Sequence, residues 1–405
     1  MIKSITSLKV SGKRVLVRAG FDVPLEKNIH TEEWQVADDT RLRDGLPTLK
    51  YLIESKAKIV ILSKLGRPGG IWDENLSSWP AAQKLGELLK YKTVKITKTL
   101  PDYAVSHIYF LTSDITKKDY SALSKKIPAG SILYLENLFF YAGEEAEDPD
   151  FVKVLKKYGD IYVDDAFSSA HHAAASNVQL AEAMPAYAGV TFLKEISALS
   201  KIFNPTQPMV VLLGGAKVDD KVETIENLAK NTNKLLVGGA IATTFLKAQG
   251  YDVGKSKVSD PRIAKALLRN YKTKIVLPVD VVVSDSPTGR AKKVSIDKIG
   301  PNEMCLDIGP ETIRKFSEVI KTAKTLVWNG PMGKFENKQF AFGSLSLARI
   351  FAARCKGFAY GVVGGGETIE VLDQALVSEF VDHVSTGGGA MLEFLAGKKL
   401  PAIKA

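Results

Sequence analysis

Met209-Val210-Val211-Leu212-Leu213-Gly214-Gly215-Ala216-Lys217-Val218-Asp219-Asp220-Lys221 is the stretch on which the reading of the chain turns. Its opening apolar run has the length and composition of a strand buried on both faces. The glycines that end the run let backbone N–H groups come close to a ligand. Beyond them Val218, Val222, Ile225 and Leu228 recur at helical spacing. This predicts a helix with Lys217 and Lys221 on one face and with Asp219 and Asp220 in the first turn, where carboxylates suit the dipole. A glycine turn feeding a helix that carries two ammonium groups is a place to hold phosphate. Most lysine pairs on helices are merely solvated, and it is the preceding Gly-Gly that favours the phosphate reading.

Working outward, strand-like runs recur at Arg14–Ala19, Lys58–Leu62, His107–Leu111, Ile132–Leu135 and Asp160–Val163, and again at Lys234–Val237, Lys274–Leu277, Thr325–Trp328 and Phe358–Val363. Amphipathic stretches such as Asp39–Glu54 and Pro80–Leu89 separate them. Alternation of this kind predicts an α/β protein of two doubly wound, Rossmann-like domains with parallel sheets. Nearly every run ends in a polar or glycine-rich signature, among them Gly20-Phe21-Asp22, Ser63-Lys64-Leu65-Gly66-Arg67-Pro68, Asn329-Gly330-Pro331 and Gly364-Gly365-Gly366. In open α/β sheets the ligand crevice lies at the carboxyl ends of the strands, so each half presents a binding edge. Glycine clusters concentrate in the second half, whereas the first offers Arg18, Arg41, Lys64 and Arg67. One half reads as a nucleotide site and the other as a small-anion site. Ala186–Phe203 has the apolar spacing of a connecting helix, and Asn204–Pro208 reads as a linker.

At 405 residues the chain exceeds the size at which a single core keeps growing. No apolar run reaches the length of a membrane span, and the start Met1-Ile2-Lys3-Ser4 lacks the apolar core of a signal peptide, so a cytoplasmic location is expected. Cys305 and Cys355 are too few for a disulfide framework and have no metal-ligand spacing. The net charge of +10 suits polyanionic partners. Nucleic acid is disfavoured, because no dense basic run is interleaved with aromatics. Trp328 and Phe335 read as packing residues, and Glu144, Glu145, Glu147 and Asp148 as a solvated acidic loop.

Taken together, Arg14–Leu25, Asp39–Pro47, Leu65–Pro68, Leu135–Leu138, Asp165–Phe167, Gly214–Lys221, Gly238–Gly250, Leu277–Asp280, Asp307–Pro310, Val327–Glu336, Gly364–Thr368 and Ser385–Gly389 resemble, in order and spacing, the phosphoglycerate kinase family. The resemblance covers essentially the whole chain. It implies a two-lobed hinge enzyme, monomeric and glycolytic, that moves a phosphoryl group between 1,3-bisphosphoglycerate and Mg-ADP to give 3-phosphoglycerate and Mg-ATP. On this reading residues 1–188, with a returning segment at about 392–405, form the acceptor lobe. Residues 189–207 are the connecting helix and linker, and 208–391 are the nucleotide lobe. No covalent intermediate is implied, so positioning and charge neutralisation would carry the catalysis.

Carried over position by position, the resemblance assigns Lys217 to the transferring phosphoryl group and Lys221 to the nucleotide phosphates. Gly238, Asn329, Pro331 and Glu336 would border the nucleotide, with Glu336 near the ribose hydroxyls. The loops holding Gly364, Gly365, Gly366 and Thr368, and Gly387 to Gly389 with Gly388 at their centre, would offer N–H groups to phosphate oxygens. Glu367 stands where the family has a magnesium-binding Asp, one methylene farther out. In the acceptor lobe Arg41 and Arg67 match patch arginines, and Arg41 is the one tied to transfer. Lys64 replaces a usual histidine, Phe139 and His172 replace arginines, Tyr141 replaces a histidine, and Gly20 and Asp22 replace Asp and Asn.

A charge-assisted arginine contact contributes about 1.5–3 kcal/mol. Two missing arginines in an otherwise unaltered pocket would therefore weaken the glycerate compound about 100-fold. Lys13, Arg14, Arg18, Arg43 and Lys64 are candidate replacements. A kinase for a different small acceptor, or an ATP-binding paralogue that has lost transfer, is the alternative.

Overall fold

The computed structural model describes residues 2–101, 104–215 and 221–405. The chain divides into two units, one made of Met1–Ile196 with Lys399–Ala405 and one of Ser197–Lys398. The division falls inside the helix Val190–Ser200. That helix is shorter than the Ala186–Phe203 segment expected from spacing, because Ala186–Ala188 is instead the last strand of the first sheet.

The first unit is built on seven parallel strands in the order Lys92–Ile96, His107–Leu111, Ile132–Leu135, Lys58–Leu62, Arg14–Ala19, Ile161–Asp165 and Ala186–Ala188. Alternate residues feed two cores: Val15, Val17, Ile59 and Ile61 face one layer, and Leu16, Val60 and Leu62 the other. Burial on both faces is why these runs are continuously apolar. The sheet changes direction of growth between Arg14–Ala19 and Ile161–Asp165. The C-terminal turn Pro401–Lys404 lies on this unit, with the Ala402 N–H donating to the Ala170 carbonyl at 3.2 Å.

The second unit carries six parallel strands in the order Ile275–Val276, Lys234–Val237, Met209–Leu213, Thr325–Asn329, Tyr360–Gly364 and His383–Ser385. Successive strands run outward to one side from Met209–Leu213 and to the other from Thr325–Asn329, so the switch point lies between these two. A fully buried Trp328 and Phe335 at 2% exposure sit in this core, as packing residues should.

Two sets of antiparallel strands depart from the parallel expectation. Asp280–Ser284 pairs with both Lys292–Ser295 and Met304–Ile308, and Leu25–Lys27 pairs with Trp34–Val36. Leu25–Lys27 and Trp34–Val36 are three residues each, and Lys292–Ser295 exposes three of its four, so these strands carry little apolar signal.

Candidate functional site

In the second unit the carboxyl ends of the central strands are tied into one knot. The Gly214 N–H donates to the Asn329 carbonyl and the Gly215 N–H to the Pro331 carbonyl, each at 3.0 Å. A Cβ on Gly214 would stand 1.9 Å from the Pro331 carbonyl oxygen, so only glycine permits this approach. The buried Asn329 amide donates to the Gly364 carbonyl at 2.8 Å. Its Oδ1 accepts from the Lys221 ammonium at 2.7 Å, and Lys221 also reaches the Gly214 carbonyl at 2.9 Å. The Thr368 hydroxyl, fully buried, accepts from the Gly330 N–H at 2.7 Å.

Among the described residues the predicted helix runs Val222–Asn231 with Lys221 as its N-cap, and the Lys221 side chain lies across the strand ends. Ile225 and Leu228 are buried as their spacing requires, while Val222 is half-exposed. Lys217, with Ala216, Val218, Asp219 and Asp220, lies outside the described residues.

Beside this knot opens a cleft of about 540 Å³, lined by Gly215, Gly239, Pro331, Glu336 and Glu367. Leu246, Val281, Leu306 and Met332 give it an apolar wall, and Lys255 and Lys257 a basic one. Gly239 rather than Gly238 faces the cleft; a Cβ on Gly238 would meet the Met332 sulfur at 2.3 Å. Lys255 and Lys257, in the loop between the helices Gly239–Ala248 and Pro261–Tyr271, and Leu306, on the unforeseen strand Met304–Ile308, escaped the sequence reading.

Glu367 is exposed in the first turn of the helix Gly366–Gln374, whose N-cap Gly365 has φ 94. The neighbouring strand His383–Ser385 leads to Gly388, N-cap of Gly389–Leu395. Among the described residues no three His, Cys, Asp or Glu side chains converge as a metal cage. A lone carboxylate suits a magnesium ion that takes its other ligands from water and substrate phosphates.

In the first unit Asp22 gathers the candidate acceptor residues. Its carboxylate accepts from the Lys64 ammonium and, at 2.9 Å, from the Gly66 N–H. Its carbonyl accepts from Arg41, whose guanidinium also lies 3.9 Å from the carboxylate. The Lys64 ammonium stands 5.1 Å from the centre of the Phe139 ring. Lys64 thus joins Asp22 and Phe139, all three at positions read from the sequence as departures from the family pattern. Burial pulls the Lys64 pKa down, and the Asp22 carboxylate opposes that pull. Arg67 is exposed.

The His172 ring lies with its centre 3.8 Å from that of His171, tilted by 41°. Burial, then the neighbouring His172 and Lys64, push His171 down to about 4, so it is neutral at physiological pH. A Cβ on Gly20 would stand 3.3 Å from the Ser168 hydroxyl oxygen, a tight contact, with Ala166 at an ordinary 3.6 Å. Tyr141 points into the core against Phe151, its ring 5.1 Å away.

Most of the candidate replacement cations serve other purposes. Arg14 pairs with Asp160 and Arg43 with Asp39. Arg18 is 1% exposed and donates to the Ser176 hydroxyl at 2.9 Å and the Ala19 carbonyl at 2.8 Å. Ser176 in turn donates its N–H and hydroxyl to Glu144, which is fully buried and therefore not part of a solvated acidic loop. Lys13 is exposed, and Lys64 alone of the five joins Arg41 at Asp22.

Comparison with known proteins gives the family. The phosphoglycerate kinase family model matches residues 5–398. A curated phosphoglycerate kinase of Synechococcus elongatus is 40% identical over 413 residues, covering 100% of this chain and 98% of that protein. One from a Roseiflexus species is 41% identical over 412 residues with the same coverage. Among solved structures, phosphoglycerate kinase from Coxiella burnetii aligns with a TM-score of 0.83 at 35% identity, and that from Pyrococcus horikoshii with 0.83 at 30%, each covering 100% of this chain and 98% of the other. With two parallel-sheet units, a glycine-lined cleft at the switch point of the second and full-length kinship to these enzymes, the chain belongs to the phosphoglycerate kinase family.

Proposed function

We infer that the chain is a phosphoglycerate kinase, transferring a phosphoryl group reversibly between 1,3-bisphosphoglycerate and ADP to give 3-phosphoglycerate and ATP. Full-length identity of about 40% with curated phosphoglycerate kinases carries this reading. In the ATP-forming direction a β-phosphate oxygen of ADP attacks the acyl phosphorus of 1,3-bisphosphoglycerate. The bond from phosphorus to the acyl oxygen breaks, and 3-phosphoglycerate leaves as a carboxylate. No group on the protein becomes covalently attached, so the protein's part is positioning and neutralisation of charge.

The glycine-lined cleft of the second unit supports a nucleotide site, with the base on the Leu306 and Met332 wall and the ribose toward Glu336. Lys221, held at the strand ends by Asn329, would meet the phosphates, and the N–H groups around Gly365 and Gly388 would face their oxygens. Lys217 has its role by resemblance alone. Glu367 would hold magnesium on the nucleotide, where the ion neutralises phosphate charge.

The Asp22 cluster supports an acceptor site of altered composition. Arg41 and Lys64 bring two positive charges against one from Asp22, and Arg67 adds a third from its exposed loop. That balance favours an anionic acceptor but leaves fewer fixed cations than the family patch.

A coupled assay with 3-phosphoglycerate and Mg-ATP tests the function. Turnover is expected, with a raised KM for 3-phosphoglycerate, and no turnover at millimolar acceptor would refute it. Lys217→Ala is expected to abolish transfer while far-ultraviolet circular dichroism stays unchanged.

A further inference from the structure

Three lysines line the second unit's cleft, Lys255, Lys257 and Lys334, and all three are exposed. Their backbones are fastened to the segment that carries the cleft's apolar wall. The Lys255 N–H donates to the Glu303 carbonyl at 2.8 Å, and the Lys334 N–H to the Leu306 carbonyl at 2.7 Å. Between these anchors the Cys305 N–H donates to the Ser256 hydroxyl at 2.8 Å, and the Thr243 hydroxyl donates to the Lys257 carbonyl. None of these contacts involves the knot of strand ends around Gly214, Asn329 and Gly364.

Among the described residues none of the three lysines is in an ion pair, and Glu303, on the same segment, is taken by Lys292 at 3.0 Å. On the reading of the cleft as a nucleotide site, the phosphates lie at the strand ends with Lys221 and the base lies on the Leu306 and Met332 wall, so these lysines border the base. A lysine ammonium has three donors and no acceptor. It favours a base edge made of lone pairs and disfavours one that presents an amino group. The edge of a 6-oxopurine offers O6 and N7, both acceptors, whereas adenine sets a donating amino group beside its N7. An extra phosphate on the ribose would also attract lysine, but it would stand against the Glu336 carboxylate.

We propose, resting on that reading of the cleft, that Lys257 and Lys334 read the base, and that the chain takes 6-oxopurine nucleotides, those of guanine and hypoxanthine, in preference to adenine nucleotides, which still bind. The two ammonium groups donate to O6 and N7, and Lys255 adds positive potential at the same end of the cleft. The apolar wall holds either kind of purine ring alike, so the difference arises at the base edge.

Isothermal titration calorimetry of the full chain with GDP, IDP and ADP, each with magnesium, tests the preference. GDP and IDP are expected to bind about tenfold tighter than ADP, as one charge-assisted hydrogen bond at the low end of its range would give. Lys257→Met and Lys334→Met, both at exposed positions, should each narrow that ratio about threefold, and the double variant should bring it close to unity. The ratio of kcat/KM for GTP to that for ATP, with 3-phosphoglycerate as acceptor, should fall in step. ADP binding as tight as that of GDP would overturn the proposal and leave the cleft a nucleotide site, whereas no binding of any of the three would overturn both. Tight GDP without tight IDP would mean that the 2-amino group is read, and equal losses for all three nucleotides in the double variant would mean that the lysines serve the phosphates; either result overturns the proposal.

Discussion

Lys64 is held between opposing demands. Partial burial disfavours its charge, while Asp22 and the face of Phe139 favour it. An arginine at 139 would replace an aromatic face with a second cation about 5 Å away, both competing for Asp22. The three positions therefore behave as one unit, and restoring the family residue at one of them is not enough. Phe139→Arg alone is expected to lower the KM for 3-phosphoglycerate by less than about threefold. The double variant Phe139→Arg/Lys64→His should lower it about tenfold. Steady-state kinetics decides, and a single variant as effective as the double would show that the positions are independent. His171 adds no fixed charge to this patch, because it is neutral at the pH of the assay.

At the scale of elements, the nucleotide site depends on side chains that hold loops rather than touch ligand. Thr368 lies in the first turn of Gly366–Gln374, yet its hydroxyl faces backward to the Gly330 N–H and fixes the turn after Thr325–Asn329. Thr368→Val keeps the shape and orphans that buried N–H. The expected cost is about 1–3 kcal/mol in urea unfolding, with weaker nucleotide binding because the Gly330-Pro331 turn loosens. An unchanged midpoint would show that Gly330 finds another partner.

The same elements explain what was legible. Met209–Leu213 and Lys58–Leu62 are buried on both faces, so composition alone exposes them, and the glycines after Leu213 mark a site that only glycine can build. Lys292–Ser295 is an exposed edge strand whose pairing with Asp280–Ser284 leaves no periodic trace. Arg18 was ambiguous for another reason. Its partner Ser176 lies 158 residues away, and no local pattern can tell a buried arginine from one facing an anion. Resemblance supplied the positions of the acceptor site, but their mutual contact at Asp22 became visible only in three dimensions.

For the molecule as a whole, buried carboxyl groups set the pH dependence of stability. Burial raises Asp164 to about 6 and Asp165 and Asp307 to about 7. Each starts from an ordinary value near 3.8, so between about pH 4 and 7 the folded chain binds more protons than the unfolded one. Stability contributed by these groups is therefore present at the acid side of that window and lost as pH rises through the folded values. His171, lowered to about 4, acts in the opposite direction over part of the same range.

Asp164 is the group to isolate, because its Oδ2 accepts no hydrogen bond that a substitution would sacrifice. The groups bearing on it are Arg18, Tyr162 and, through Arg18 and Ser176, Glu144. Asp164→Asn abolishes its titration while keeping an acceptor for the Ala166 N–H, which Oδ1 receives at 2.9 Å. A carboxyl raised by about two units costs on the order of 2 kcal/mol once ionised, so the variant should gain stability relative to the parent as pH rises from about 4 to about 6, with little further gain above that. Thermal unfolding across that range measures it. Parallel Tm–pH curves for the two proteins would mean that Asp164 already holds an ordinary pKa, and would remove the buried ionisation from the balance around Arg18.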